Sequence, residues 1–507
     1  MYKILTASND TYITNKYISN FRVKDANTGK AATIDLFKMY DETYSNDGSL
    51  IELSRGLLKF DLSEIADIDT NKCKMSDPSF SVTLNLFDVY GGQTTPDNFT
   101  LRLHPLSKSF DSGIGRDIIR YTDLGSANFI TASISSGVID TWNEEGANAK
   151  GLLDSENIDI ITSGDLQDGN GVVNLYKDVT FTTGYENLSI DVTNIVSGTV
   201  AGLIPDCGFR LSYSDAIEDN QKTYFVKRFS SNDSKQHHLR PTLVVKYNDS
   251  LQDHREGFNF NMSGSLFINN VVNGAYSNIM SASTTSPGTL EQVSGNNCIL
   301  LKVMTGSFSK YITGSNHAVG EIDKTGIYSA SFLINRYDTD LYEHIIASGS
   351  ITFDEVWTDM SENVLYKSSS FTINDDSISS FSNVTSKLLI SVTNLRNSYD
   401  KNSIARFRVH IDNKDRVVSY VKLPVVAKSE VFYNVRYSIT DVESQNETIS
   451  FSKNDNSTLL SVDSDGLYFD IDMKSLHESR QYNVSFLVKD KDEEKVFSNI
   501  AKFKVVT

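Results

Sequence analysis

The 507-residue chain holds only three cysteines, Cys73, Cys207 and Cys298. They are scattered, odd in number and never spaced as CxxC, which argues against both a disulfide framework and a zinc site. Cations are also short: 47 Lys and Arg stand against 65 Asp and Glu, a formal charge of −18. Nucleic acid is bound through clustered Lys and Arg, so no nucleic-acid partner is expected, and the same repulsion disfavours anionic membrane surfaces. No apolar stretch is long enough to span a bilayer, so membrane insertion is not expected, and the opening MYKILTASND has no run suited to a signal peptide. GxSxG, HExxH, P-loop and Rossmann fingerprints are missing as well. Long amphipathic helical windows are nearly absent.

What is present is alternation. Ser81–Phe87, Leu188–Val192, Thr242–Tyr247, Ile404–Ile411 and Tyr482–Val488 alternate β-branched or aromatic residues with polar ones, the pattern of half-buried strands. Turn signals separate them: Asn46-Asp47-Gly48, Gly91-Gly92, Gln167 to Gly171, Asp465-Gly466. One short helix is predicted over Val192–Leu203, where Val192, Ile195, Val196 and Val200 share a face. With 27 Phe and 24 Tyr there is material for several small cores, and the length suggests about three domains. The polar run 248–257 (NDSLQDHREG) suits a linker after a large β domain over 1–247. Beyond it, Tyr328–Ile334 (YSASFLI) echoes Tyr482–Val488 (YNVSFLV). The echo predicts two related immunoglobulin-like sandwiches, 258–385 and 386–507. The fold class is all-β.

Several stretches carry chemistry-bearing residues. Residues 226–249 (VKRFSSNDSKQHHLRPTLVVKYND) gather Arg228, Ser230, Asp233, Ser234, His237 and His238. Neighbours in a strand point to opposite faces, so two adjacent imidazoles cannot converge on one ion from a strand, and in a loop no third ligand stands nearby. The stretch reads as a solvated rim leading into the last strand, with Pro241 at a strand start where its missing donor is harmless. Residues 461–472 (SVDSDGLYFDID) approach a calcium loop, but Ser461 replaces the first ligand and Asp472 the long bidentate Glu. A hairpin is the better reading, and Asp168-Gly169-Asn170-Gly171 is likewise a turn. Glu144-Glu145 after Trp142 is the most suggestive acidic pair for glycosidase chemistry, although Trp142 reads first as a core or loop tryptophan. No catalytic, cofactor-binding or metal-ligating residues are expected.

A resemblance joins these pieces. Ser54–Ser63 (SRGLLKFDLS), Leu188–Leu203, Gly208–Ser212 (GFRLS) and Tyr224–Tyr247 resemble the DNRLRE family of β-sandwich domains, with Arg240, Pro241, Leu243, Val245 and Tyr247 matching its RP-x-L-x-V-x-Y closing strand. The run for which the family is named is present only in degenerate form. Asn248–Asp253 (NDSLQD), Ser263–Asn269, Ile390–Asn397, Ala405–Ile411 and Asp463–Phe469 resemble virion structural proteins of T4-like tailed phages of marine bacteria, where such a domain precedes immunoglobulin-like ones. The resemblance implies a jelly-roll-like first domain and a non-enzymatic part of a phage particle, assembled in the host cytoplasm. Such a part would contact other virion proteins, form homo-oligomers, and keep unassembled copies soluble through its acidic surface. The alternative it implies is a carbohydrate-binding adhesion protein for host polysaccharide, with sugar stacking on an aromatic near Trp142 or Tyr185. A hydrolase is the third reading.

Overall fold

The computed structural model describes residues 1–18, 21–41, 50–119, 123, 125–135, 137–255, 257–282, 289–335, 339–374, 387–414, 429, 431–490 and 493–507. The turn signal at 46–48 and the expected boundary at 385/386 lie outside the described residues. The protein is all-β, built of sandwiches, and the chain divides into two compact units. One comprises Lys3–Asp69 and Phe80–Lys246; the other comprises Met1–Tyr2, Thr70–Ser79 and Tyr247–Thr507. Residues 70–79 thus part company with the rest of the first 247. They are tied within the second unit, where Lys74 N donates to Gly320 O at 3.0 Å and Lys324 Nζ donates to Lys72 O at 2.7 Å.

In the first unit, a four-stranded sheet runs in the order Tyr2–Thr6, Thr242–Lys246, Ser81–Leu86, Leu188–Asp191. A seven-stranded sheet runs Lys177–Phe181, Phe99–Pro105, Phe209–Tyr213, Ile51–Lys59, Thr33–Tyr40, Tyr224–Ser230, with Asn9–Thr14 also paired to Ile51–Lys59. Alternation does the sorting. Val82, Leu84 and Leu86 are fully buried while Ser81, Thr83 and Asn85 are half-exposed. In the larger sheet, register places Leu58 opposite Phe209, and Leu103 opposite Leu211, on one apolar face. The helix Thr193–Val200 buries Ile195 and Val196, two of the four residues on its expected face, with Val192 buried just ahead of it.

The second unit holds two sheet systems. In the first, seven strands run Phe258–Asn259, Leu365–Asn374, Ser350–Thr358, Ile299–Thr305, Phe308–Val319, Ile322–Leu333, Ser263–Asn269. Phe308–Val319 pairs with Ile299–Thr305 up to Gly314 and with Ile322–Leu333 from Ser315 onward, so the sheet folds over itself at Gly314. A Cβ on Gly314 would come within 2.8 Å of Ile299. Leu266, Leu301, Tyr328, Trp357 and Phe371 from both layers share one core. A helix, Thr339–Ser348, seats Leu341 and Ile345 in the same core.

The last sheets are a four-stranded one (Leu388–Val392, Ile404–Asn413, Gly466–Asp472, Ser461–Asp463) and a five-stranded one (Ser398–Asp400, Glu493–Val506, Gln481–Asp490, Val435–Asp441, Glu447–Ile449). Aromatic rings bridge them: Phe469 stacks on Phe407 at 5.0 Å within its own sheet and on Tyr437 of the other sheet at 4.4 Å. Tyr482 accepts from His477 N at 2.8 Å, a hydroxyl at a strand start bonded to backbone a few residues upstream, as in immunoglobulin-like sandwiches.

Candidate functional site

The stretch 226–249 is where the first unit's chain passes from one sheet to the other. Tyr224–Ser230 belongs to the larger sheet, a 3-10 turn covers His237–Leu239, and Thr242–Lys246 belongs to the smaller sheet. His237 is exposed and His238 half-exposed on that turn. Arg228 and Ser230, read from sequence as part of the solvated stretch, are instead in the strand. Ser230 is fully buried, and Arg228 forks onto Asp35 at 2.7 and 2.6 Å. Asp233 pairs with Lys30 at 3.1 Å.

Trp142 is a core residue at 5% exposure, packed with Phe129, Leu57 and Ile160, and its indole N–H donates to Asn128 O at 2.9 Å. It offers no face to a sugar. The adjoining loop is held from beneath. The buried Asp159 carboxylate accepts from Asn143 N, Glu144 N and Ala149 N at 2.8–3.0 Å. Arg55 donates to Gly146 O at 2.6 Å and Arg210 to Ala147 O at 2.9 Å. Glu218 takes a two-pronged bond from Arg55 at 3.1 and 2.7 Å. Burial and the neighbouring Arg55 push the Arg210 guanidinium down to about 9. Glu144 accepts from Asn148 at 2.9 Å and Glu145 from Lys24 at 2.6 Å, so both acids serve the loop's own bonding.

Tyr185 lies elsewhere, and the structure gives it a companion that the sequence did not reveal. Tyr185 is 54% and Tyr90 59% exposed, with ring centroids 5.5 Å apart and planes at 75°. Register explains the meeting. Leu86 is opposite Leu188 in the smaller sheet and Phe99 opposite Phe181 in the larger. The crossings 87–98 and 182–187 therefore leave and enter the sandwich at the same end. Beneath them lies Lys227, fully buried, whose Nζ donates to Asp88 Oδ1 at 2.5 Å, Gly184 O at 2.9 Å and Glu186 O at 2.7 Å. The Phe229 ring centroid is 4.8 Å from that ammonium. Burial pushes the Lys227 ammonium below its ordinary value, and Asp88 opposes the shift. Asn187 Oδ1 accepts from Asp88 N at 2.8 Å, and Glu186 Oε1 accepts from Thr183 N at 2.7 Å and Thr182 N at 3.0 Å. Burial would raise the Glu186 carboxyl, but these bonds hold it well below the usual carboxylate range. Gly184 has φ +79, and a Cβ there would come within 2.1 Å of Pro96 O. The two tyrosines thus stand exposed on loops that are fastened from below. No sequence motif marks Tyr90; only its position beside Gly91-Gly92 hinted at a loop tip.

In the second unit, residues 461–472 form the expected hairpin, strand Ser461–Asp463 against Gly466–Asp472. Asp463 and Asp465 both face Arg408, at 2.5 and 3.6 Å, and Asp472 caps the next turn by accepting from Lys474 N at 3.0 Å. Among the described residues no group of three or more His, Cys, Asp or Glu is placed to hold a metal ion. Turn 168–171 is exposed, with Asp168 accepting from Asn170 N at 3.0 Å.

Residues 248–255, expected as a linker, are bonded into the second unit. Val462 N donates to Leu251 O at 2.7 Å, Gln252 Nε2 to Leu460 O at 2.8 Å and His254 N to Ser265 O at 3.0 Å. Arg255 donates to Glu355 at 3.1 and 3.2 Å, to Phe267 O at 2.9 Å and also to Asp253. The Asp253 carboxyl is raised to about 6 by burial, against the pull of Arg255.

No family model matches the sequence, and no curated protein does. Among solved structures, a titin fragment (A168169) is similar at 8% identity over 51% of this chain and 96% of its own, with a TM-score of 0.16. The N-terminal Ig1-2 module of the Drosophila receptor protein tyrosine phosphatase DLAR is similar at 8% identity over 51% of this chain and 95% of its own, TM-score 0.14. Trypsin-activated α2-macroglobulin from Escherichia coli covers 92% of this chain with 23% of its own at 7% identity, TM-score 0.17.

Proposed function

We propose that the chain is a non-enzymatic structural component of a tailed-phage virion that works through protein–protein assembly. The observation that carries this reading is the strap at 248–255. A freely tethered binding module would leave such a polar run loose, whereas here it bridges the folded-over sheet of Ser263–Asn269 and the hairpin strand Ser461–Asp463. A segment fastened in this way inside the second unit suits a load-bearing or spacing element better than a loose one. The acidic balance of −18 would keep unassembled copies apart. Mass spectrometry of purified particles, with immunogold labelling against residues 3–246, tests the proposal. The expected result is a fixed copy number and label at one place on the particle; absence of the protein from intact particles overturns it.

A second reading, adhesion to host polysaccharide, is supported by a separate observation, the exposed Tyr185 on a fastened loop. It requires that the purified protein bind glycan. Isothermal titration with host polysaccharide giving no heat removes it.

A further inference from the structure

We infer that Tyr90 and Tyr185 together form a saccharide-binding notch for neutral pyranose rings; the inference rests on the adhesion reading and narrows it. Two large side chains more than half exposed meet edge to face, and the loops that carry them are fastened by a buried ammonium. Lys227 bonds Asp88 from the Tyr90 loop and the carbonyls of Gly184 and Glu186 that flank Tyr185. Two rings at 75° give a floor and a wall. The axial C–H face of a pyranose fits against such a floor, while its equatorial hydroxyls reach outward to polar groups at the rim. The rim supplies them: Asn187 and Thr183 adjoin Tyr185 on one loop, and Gln93 adjoins Tyr90 on the other, with its Oε1 closing the turn by accepting from Gly91 N at 2.7 Å.

Charge selects the class of sugar. Lys227 is matched by Asp88 and Arg228 by Asp35, so the named charges near the notch cancel in pairs. What remains is the Glu186 carboxylate, kept ionised by its bonds to Thr182 and Thr183. A uronate or sulfate would meet that negative charge, while Lys227 and Arg228 beside the notch are already engaged by Asp88 and Asp35. Neutral hexose polymers carry no such penalty. Lys227 is a positioning residue here: it holds both loops and does not line the notch.

The test uses the full-length protein, titrated calorimetrically with neutral glucan, galactan and mannan oligosaccharides and, in parallel, with alginate. Binding to at least one neutral set and none to alginate is expected. Tyr90→Ala and Tyr185→Ala should each weaken that binding about tenfold or more, whereas Tyr185→Phe, which keeps the ring, should retain it. Both tyrosines are exposed, so the alanine variants should keep the parent's thermal transition, which circular dichroism checks. If glycan binds and the double alanine variant binds equally well, the notch is wrong while adhesion stands. Preference for alginate overturns the charge argument. Failure of every glycan to bind the parent protein overturns the notch and the adhesion reading together.

Discussion

Arg210 is the second residue of the strand Phe209–Tyr213, flanked by Phe209 and Leu211, and it is fully buried. It shares its face of the sheet with Leu57 and His104, opposite which it lies, and with Arg55. Buried guanidinium groups need most of their donors answered: Glu218 and Gly146 O answer Arg55, and Ala147 O, Asn148 Oδ1 and Ser212 Oγ answer Arg210, whose Nε has no partner among the described residues. Glu218→Ala leaves Arg55 charged in the interior without its counter-ion, with Gly146 O alone among the described residues still accepting from it. We expect it to lower the stability of the first unit by about 3 kcal/mol, seen as a downward shift of one calorimetric transition. Asp10 makes a different forecast. Burial, opposed by the bond from Asn232 N and flanked by Asp233, Lys30 and Arg240, raises its carboxyl from 3.8 to about 7. Between those values the folded protein holds a proton on Asp10 that the unfolded chain has released, so the contribution of this group to stability is greatest at low pH and falls as pH rises through the window. In Asp10→Asn the slope of stability against pH between about 4 and 7 should flatten; an unchanged slope would show that Asp10 ionises normally.

At the scale of single elements, period two decided the strands, and it was legible at once. The echo YSASFLI and YNVSFLV places Tyr328, Ala330, Phe332 and Ile334 on a buried face, just as it places Tyr482, Val484, Phe486 and Val488. Both tyrosine hydroxyls bond backbone, Tyr328 to Ile279 N at 2.9 Å and Tyr482 to His477 N. Tyr482→Phe keeps the ring and removes only that corner, and should cost about 1–2 kcal/mol in chemical denaturation. Yet the same heptapeptide sits in one sheet folded over itself and in a pair of facing sheets, because strand pairing beyond the local turn is not written in seven residues. The helix Thr339–Ser348 escaped the sequence reading altogether. In the hairpin at 461–472, Arg408 occupies the place a cation would take. Millimolar calcium or EDTA is therefore expected to leave the thermal transitions unmoved, and a calcium-dependent rise would contradict the hairpin's ion pairing.

Across the whole molecule, the informative segment is the strap. Composition alone makes 248–257 a polar linker, but Leu251, Asp253 and His254 bond two sheets through their backbone, and Arg255 reaches a fully buried Glu355. Arg255→Met would leave that carboxylate without its guanidinium partner, with the Ser369 hydroxyl still donating to it. Hydrogen exchange in the peptide covering 250–255 should then speed up about tenfold or more, the equivalent of roughly 1.4 kcal/mol of local stability. Exchange as slow as in the parent would show that backbone pairing alone holds the strap. Slow exchange in the parent protein is itself a requirement of the structural reading.

Local chemistry settled what it could reach. Alternation made the chain all-β, and spacing set the helix face over Val192–Val200. Those properties depend on residues within a few positions of one another. Three things depended on distant pairing instead. Arg210 is a lone cation between Phe209 and Leu211 in GFRLS, yet its neighbour Leu57 on that face packs in one core with Phe129, Trp142 and Ile160. Trp142 went inward to join that core. Tyr90 met Tyr185 only because the registers Leu86 with Leu188 and Phe99 with Phe181 bring two crossings to one end of a sandwich. A strand's periodicity says which side chains share a face; only the pairing of strands far apart in sequence decides what that face meets.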